Sequence, residues 1–218
     1  MLSFRKLAWA HHFFQPCRSN SYWQVLGKAP FDSTYKDDLF TFLNNWQCRI
    51  TRDEGVRSEI IAAVRVVWGK IGPEDFPYDF LTCDAIPRDA YEGLSDISWL
   101  NRDGSGRTLG PTATSKILHV LRPGIFIMWD APIRAYYDLD GSSQSYEFFI
   151  SLMKKQVESV LRELHFDRKS DSESILESKL CNRLGCNHPR PVTMPKLIDE
   201  YNWIAITNRL IDDRIHAN

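Results

Sequence analysis

Apolar residues recur every three to four positions along most of this chain, and that period is the signature of helices buried on one face. In "TYKDDLFTFLNNWQCRI", Leu39, Phe42, Leu43 and Trp46 share a face, with Ser33 or Thr34 as the cap. "RSEIIAAVRVVWGKIG" carries a second stripe, Ile60, Ile61, Val64, Val67 and Trp68, starting near Ser58 and stopping at Gly72-Pro73. "TATSKILHVL" is a third helix, ended by Arg122-Pro123-Gly124. The longest pattern is "SYEFFISLMKKQVESVLRELHF", with Phe149, Met153, Val157, Val160 and Leu164 in phase and Ser145 as its cap. "MPKLIDEYNWIAITNRLID" closes the chain, with Pro195 in its first turn.

Only "IFIM", residues 125–128, reads as a strand, and no partner run accompanies it. Prolines and glycines between residues 73 and 110 mark loops and short helical pieces. The expected fold is therefore mostly α, with no internal repeat, and a single domain over residues 1–218.

Composition changes this picture little. Seven Trp, twelve Phe and eight Tyr in 218 residues call for a large aromatic core. No apolar run approaches the ~18 residues of a membrane span. The net charge of -1 announces no polyanion partner, but its distribution is uneven. Residues 1–31 hold Arg5, Lys6, Arg18 and Lys28 and no acid. That stretch reads as a basic arm touching phosphate, or as an organelle transit segment. His11 and His12 fall in it and read as solvated.

Five scattered cysteines do not make a disulfide framework and point to a reducing compartment. In "CNRLGCNHP", Cys181, Cys186 and His188 could supply three metal ligands, but no fourth follows and the Cys spacing is wide for zinc. The segment reads as a loop, and no metal is expected.

The chemistry concentrates in "LGPTATSKILHVLRPGIFIMWDAPIR". A Gly110-Pro111 turn opening a helix presents backbone N–H groups and a positive helix end, which suit a phosphate. The apolar run then delivers Asp130 to the start of a further helix, with Pro132 in its first turn, so Asp130 is an N-cap.

This segment resembles the helix-hairpin-helix DNA glycosylase superfamily. That family joins a hairpin pattern, G-x-G-P-K-T-A, through an apolar stretch to a catalytic Asp in V-D-x-x-[VI]. The matching residues are Leu109 to Ala113, then "IFIMW", then Asp130 with Ile133 three positions on. Thr112 and Asp130 are 18 positions apart, close to the family's separation. The likeness covers about 35 of the 218 residues. Thr108 stands where the first hairpin glycine belongs, and Thr112 where members that cut the backbone carry a Schiff-base lysine. The family's iron–sulfur cysteines are absent.

The resemblance implies a helical bundle of two lobes with a helix-hairpin-helix motif and an interlobe cleft. It implies a monofunctional DNA glycosylase that hydrolyses the N-glycosidic bond of a base flipped from duplex DNA. Asp130 would be catalytic, and Lys116, one helical turn after Thr112, a second catalytic candidate. Asn45, Trp46, Arg49, Trp68 and Trp129 are candidates for holding the base, with Trp99 a further aromatic. Arg107, Gly110, Thr112, Thr114, Ser115 and Arg134, with Arg102, are candidates for the DNA backbone. His119 reads as structural. No cofactor is implied, nor a membrane or an obligate second subunit. The compartment implied is a bacterial cytoplasm or a nucleus, with a mitochondrial address if the basic start is a transit segment. A divergent member would suit bulky, phage-type modified bases and a role in defence. Two other readings use the same residues: a non-catalytic DNA-binding module, and a helical protein-interaction domain.

Overall fold

The computed structural model describes residues 2–14, 20–72, 79–83, 87–101, 103–166, 171–186 and 192–209. Cys17, Arg18, Pro73, Arg102 and His188 lie outside them.

The fold is mostly helical. α1 (Phe4–Phe14) and α2 (Asn20–Val25) are followed by α3 (Tyr35–Asn45) and the long α4 (Glu54–Ile71). α5 (Arg88–Ser95) leads into an antiparallel hairpin, β1 (Ser98–Leu100) with β2 (Gly106–Thr108), in which Trp99 faces Arg107. Then come α6 (Gly110–Leu121), α7 (Ala131–Tyr136), α8 (Ser143–Glu163), α9 (Glu173–Leu184) and α10 (Met194–Asn202). A π-helical turn, Trp203–Thr207, continues α10.

α6 is the central element. Every residue from Ala113 to Leu121 is buried, as befits a helix covered on all sides. α5 and α3 pack on α6, α8 packs on α5, and α10 is covered by α1. The main core draws on Phe40, Phe42, Phe126, Trp129, Tyr146 and Phe149. A smaller cluster of Ala10, Phe14 and Ile204 ties α1 to the π-turn, with Trp46 and Trp203 against it.

Several expectations are corrected here. The described residues of the basic start pack into the fold instead of forming an arm: Leu7, Ala10, Phe14, Tyr22 and Val25 are core residues. His11 is buried against Glu200, and only His12 is exposed. α4 starts at Asp53, whose side chain accepts from Val56 N, and not at Ser58. α8 is capped by Ser142 rather than Ser145.

The "IFIM" strand does not form. Phe126 to Trp129 run buried, with side chains where a partner strand would be. His119 Nδ1 lies 2.6 Å from the Phe126 carbonyl, and Tyr146 donates to the carbonyl of Ile127 at 2.7 Å. Ser115 Oγ both donates to Trp129 O and accepts from Trp129 N. Buried backbone groups must be paired, and here helix side chains pair them. Among the described residues no helix is long and apolar enough to cross a membrane.

Candidate active site

The buried segment ends at Asp130, which caps α7. Its Oδ1 accepts from Ile133 N at 3.0 Å, the ordinary capping bond. Its Oδ2 accepts from the hydroxyl of Thr207 at 2.8 Å. The π-turn supplies this second donor, so the carboxylate is fixed from two elements distant in sequence. Asp130 is half-buried and borders a cavity of about 440 Å³, within the range of small-molecule sites.

Five helices and the π-turn contribute to that cavity. α6 supplies Thr112 and Lys116, and the end of α3 supplies Asn45, Trp46 and Gln47. α1 adds Phe14, α10 adds Asp199, and the π-turn adds Trp203. Indole and phenyl faces therefore share the walls with two carboxylates, one ammonium and the three carboxamides of Asn45, Gln47 and Asn208.

The charges are held in place. Lys116 is 7% exposed; its Nζ donates to the Trp46 carbonyl at 2.7 Å and lies 5.5 Å from the Trp46 ring centroid. Cys48 Sγ is 3.7 Å from the same ammonium; burial pushes this thiol up, against the pull of Lys116. Deeper in, Asp199 pairs with Lys196 at 2.6 Å, both buried. Burial raises the Asp199 carboxyl while Lys196 opposes the rise. Lys196 Nζ sits 4.2 Å from the Phe14 ring centroid and 5.2 Å from those of Tyr22 and Trp46, so aromatic faces complete its shell.

Of the candidates read from sequence, Asp130, Lys116, Thr112, Asn45, Trp46 and Trp129 border this one cavity. The Trp129 ring itself belongs to the core, 4.9 Å from Tyr146 and 5.3 Å from Phe149. Arg134 stands beside the cavity, donating to Thr112 Oγ1 at 3.1 Å with its guanidinium over Trp129. Arg107 is exposed on β2 and donates to the carbonyl of Arg49 at 3.0 Å. Gly110 takes φ +70° at the start of α6, a conformation that favours glycine.

Four assignments are corrected. Trp68 lies on α4 under the guanidinium of Arg122, away from the cavity. Arg49 is exposed, with φ +54°, and does not border the cavity. Thr114 and Ser115 are fully buried, so neither offers a hydroxyl to a DNA backbone. Ser115 instead holds Trp129, and the Thr114 hydroxyl has no hydrogen-bond partner among the described residues. His119 is structural as expected: it is fully buried, with Tyr22 Oη 2.9 Å from its Nε2, and burial lowers its pKa to about 3.

Sequence reading missed Phe14, Asp199, Trp203 and Thr207. A signal did exist in "MPKLIDEYN": Lys196, Asp199 and Glu200 interrupt an otherwise apolar stretch at i, i+3 and i+4. Charges at that spacing within a buried helix must pair with one another. Among the described residues no group of three or more His, Cys, Asp or Glu side chains could hold a metal ion. No protein-family model, curated protein or solved structure matches the chain.

Proposed function

We propose that this protein is a DNA N-glycosylase that hydrolyses the bond between a damaged or modified base and its sugar. One observation carries the reading: a doubly hydrogen-bonded helix-capping carboxylate, Asp130, borders an aromatic-walled cavity together with the ammonium of Lys116.

Loss of a base builds positive charge on the sugar, and a fixed carboxylate beside the anomeric carbon stabilises it. Asp130 has that role, and orients the attacking water as its general base. Neither of its hydrogen bonds must be remade during the reaction. The flipped base stacks on Trp46, and the carboxamides of Asn45 and Gln47 read its polar edge. Lys116 is tied to the Trp46 carbonyl, which suits an electrostatic role better than nucleophilic attack and favours a monofunctional enzyme.

In this reading α5, the β1–β2 hairpin and α6 form a helix-hairpin-helix unit, and the cavity lies between two lobes. The N–H groups at the start of α6 and the exposed Arg107 hold phosphates of the duplex.

The test is release of free bases, detected by mass spectrometry, from duplexes carrying oxidised, alkylated, deaminated and phage-type modified bases. Release of one of these, leaving an abasic site, is the expected result. DNA binding with steep salt dependence and no release would make the protein a binding module. Absence of both would leave a protein-interaction domain.

A further inference from the structure

A second cluster of reactive side chains lies where α9 ends. α9 stops in a Schellman turn. Gly185 takes φ +67°, its N–H bonds to Asn182 O at 3.3 Å, and Cys186 N bonds to Cys181 O at 3.0 Å. This turn brings together the side chains three residues before the cap and two after it, a pair that is usually hydrophobic. Here both are cysteines, and both are half-buried.

Cys186 Sγ is 3.2 Å from His11 Nε2. His11 Nδ1 is 2.6 Å from Glu200 Oε2, and both His11 and Glu200 are 2% exposed. A thiol, an imidazole and a carboxylate in line make an activated nucleophile: the carboxylate orients the ring, and the ring takes the thiol proton.

We propose that Cys181 and Cys186 are a peroxide-reactive dithiol that closes to a disulfide, with Cys186 as the attacking thiol and Cys181 as the resolving one. His11 accepts the Cys186 proton. The thiolate then attacks a hydroperoxide: a Cys186 S–O bond forms and the O–O bond breaks. The leaving oxygen takes the proton from His11 and departs as an alcohol, or as water if the oxidant is hydrogen peroxide. Cys181 next attacks the sulfenic sulfur; the S–S bond forms, the S–O bond breaks, and water leaves with the Cys181 proton. The two thiols lose two electrons and two protons, and the hydroperoxide is reduced by the same two electrons.

The test treats the full-length protein with equimolar hydrogen peroxide, alkylates the remaining thiols and maps peptides. The expected product is a Cys181–Cys186 disulfide, with Cys17, Cys48 and Cys83 alkylated. Cys181→Ser should stop at a sulfenic acid on Cys186, trapped by dimedone. Glu200→Gln, which keeps the shape of the partner of His11, should slow oxidation of Cys186 by roughly tenfold at unchanged far-ultraviolet circular dichroism. Alkylation of Cys181 and Cys186 after peroxide at the same rate as Cys48 would overturn the proposal. So would stoichiometric zinc in the purified protein that shields both thiols until a chelator removes it.

Discussion

The hydroxyl of Thr207 donates to Asp130 Oδ2 at 2.8 Å across 77 positions of sequence. The bond fastens the acid that caps α7 to the π-turn after α10. Its partner bond, from Ile133 N to Oδ1, is local and keeps the cap. Thr207→Val therefore removes positioning while leaving the helix start intact. The expected result is base release slowed about tenfold, the worth of one hydrogen bond to a charged group, with Thr207→Ser close to wild type. Single-turnover kinetics on the preferred substrate checks it; equal rates for Val and Ser would separate Thr207 from the chemistry.

Thr114 and Ser115 are adjacent on α6 and both fully buried, yet they should behave oppositely. The Thr114 hydroxyl has no partner among the described residues, so Thr114→Val should be neutral or stabilising by up to about 1 kcal/mol. Ser115→Ala leaves Trp129 N without its acceptor inside the core and should cost about 2 kcal/mol. Urea unfolding measures both. Neither substitution should change the salt dependence of DNA binding, whereas Arg107→Ala should lower its slope by roughly one.

Glu177 predicts a pH dependence. Burial raises its carboxyl from 4.5 to about 7, only partly offset by the bond it accepts from Met194 N. The folded chain thus binds a proton that the unfolded chain has released. This contribution is fully present below pH 4.5 and is lost as pH rises through about 7. Glu177→Gln keeps an acceptor for Met194 N and removes the titration. The variant should gain on wild type between pH 5 and pH 8 by on the order of 2 kcal/mol. Denaturation midpoints of the two proteins at both pH values provide the comparison. His119 acts in the other direction: its pKa is depressed to about 3, so its contribution is lost as pH falls below 6.5. The difference between Glu177→Gln and wild type isolates the glutamate because His119 is common to both.

The helices were legible because their apolar period is local. α6 and α8 follow from their stripes and turns, and Asp130 follows as a cap from the Pro132 beyond it. The cavity was legible only in part. Lys116, Thr112 and Asp130 meet because α6 and the extended segment fold back on each other within one hairpin-sized stretch. Phe14, Asp199 and Thr207 come from the two ends of the chain, and no local pattern announces that α1 packs on α10. Thr114 and Ser115 were misplaced for a related reason. Their polarity suggested a surface, while the burial of α6 on all sides made Ser115 a backbone partner for a strand that never forms.

The most direct measurement compares wild type with Asp130→Asn on a duplex carrying the base released in the panel, with and without alkali. Asparagine caps helices about as well as aspartate, so the stability of the two proteins should agree within about 0.5 kcal/mol. The expected outcome is alkali-dependent strand breaks from wild type, reduced at least ~100-fold in the variant, with DNA affinity retained. Equal base release from the two proteins would contradict the assignment of Asp130 and with it the reading of the cavity as a glycosylase site.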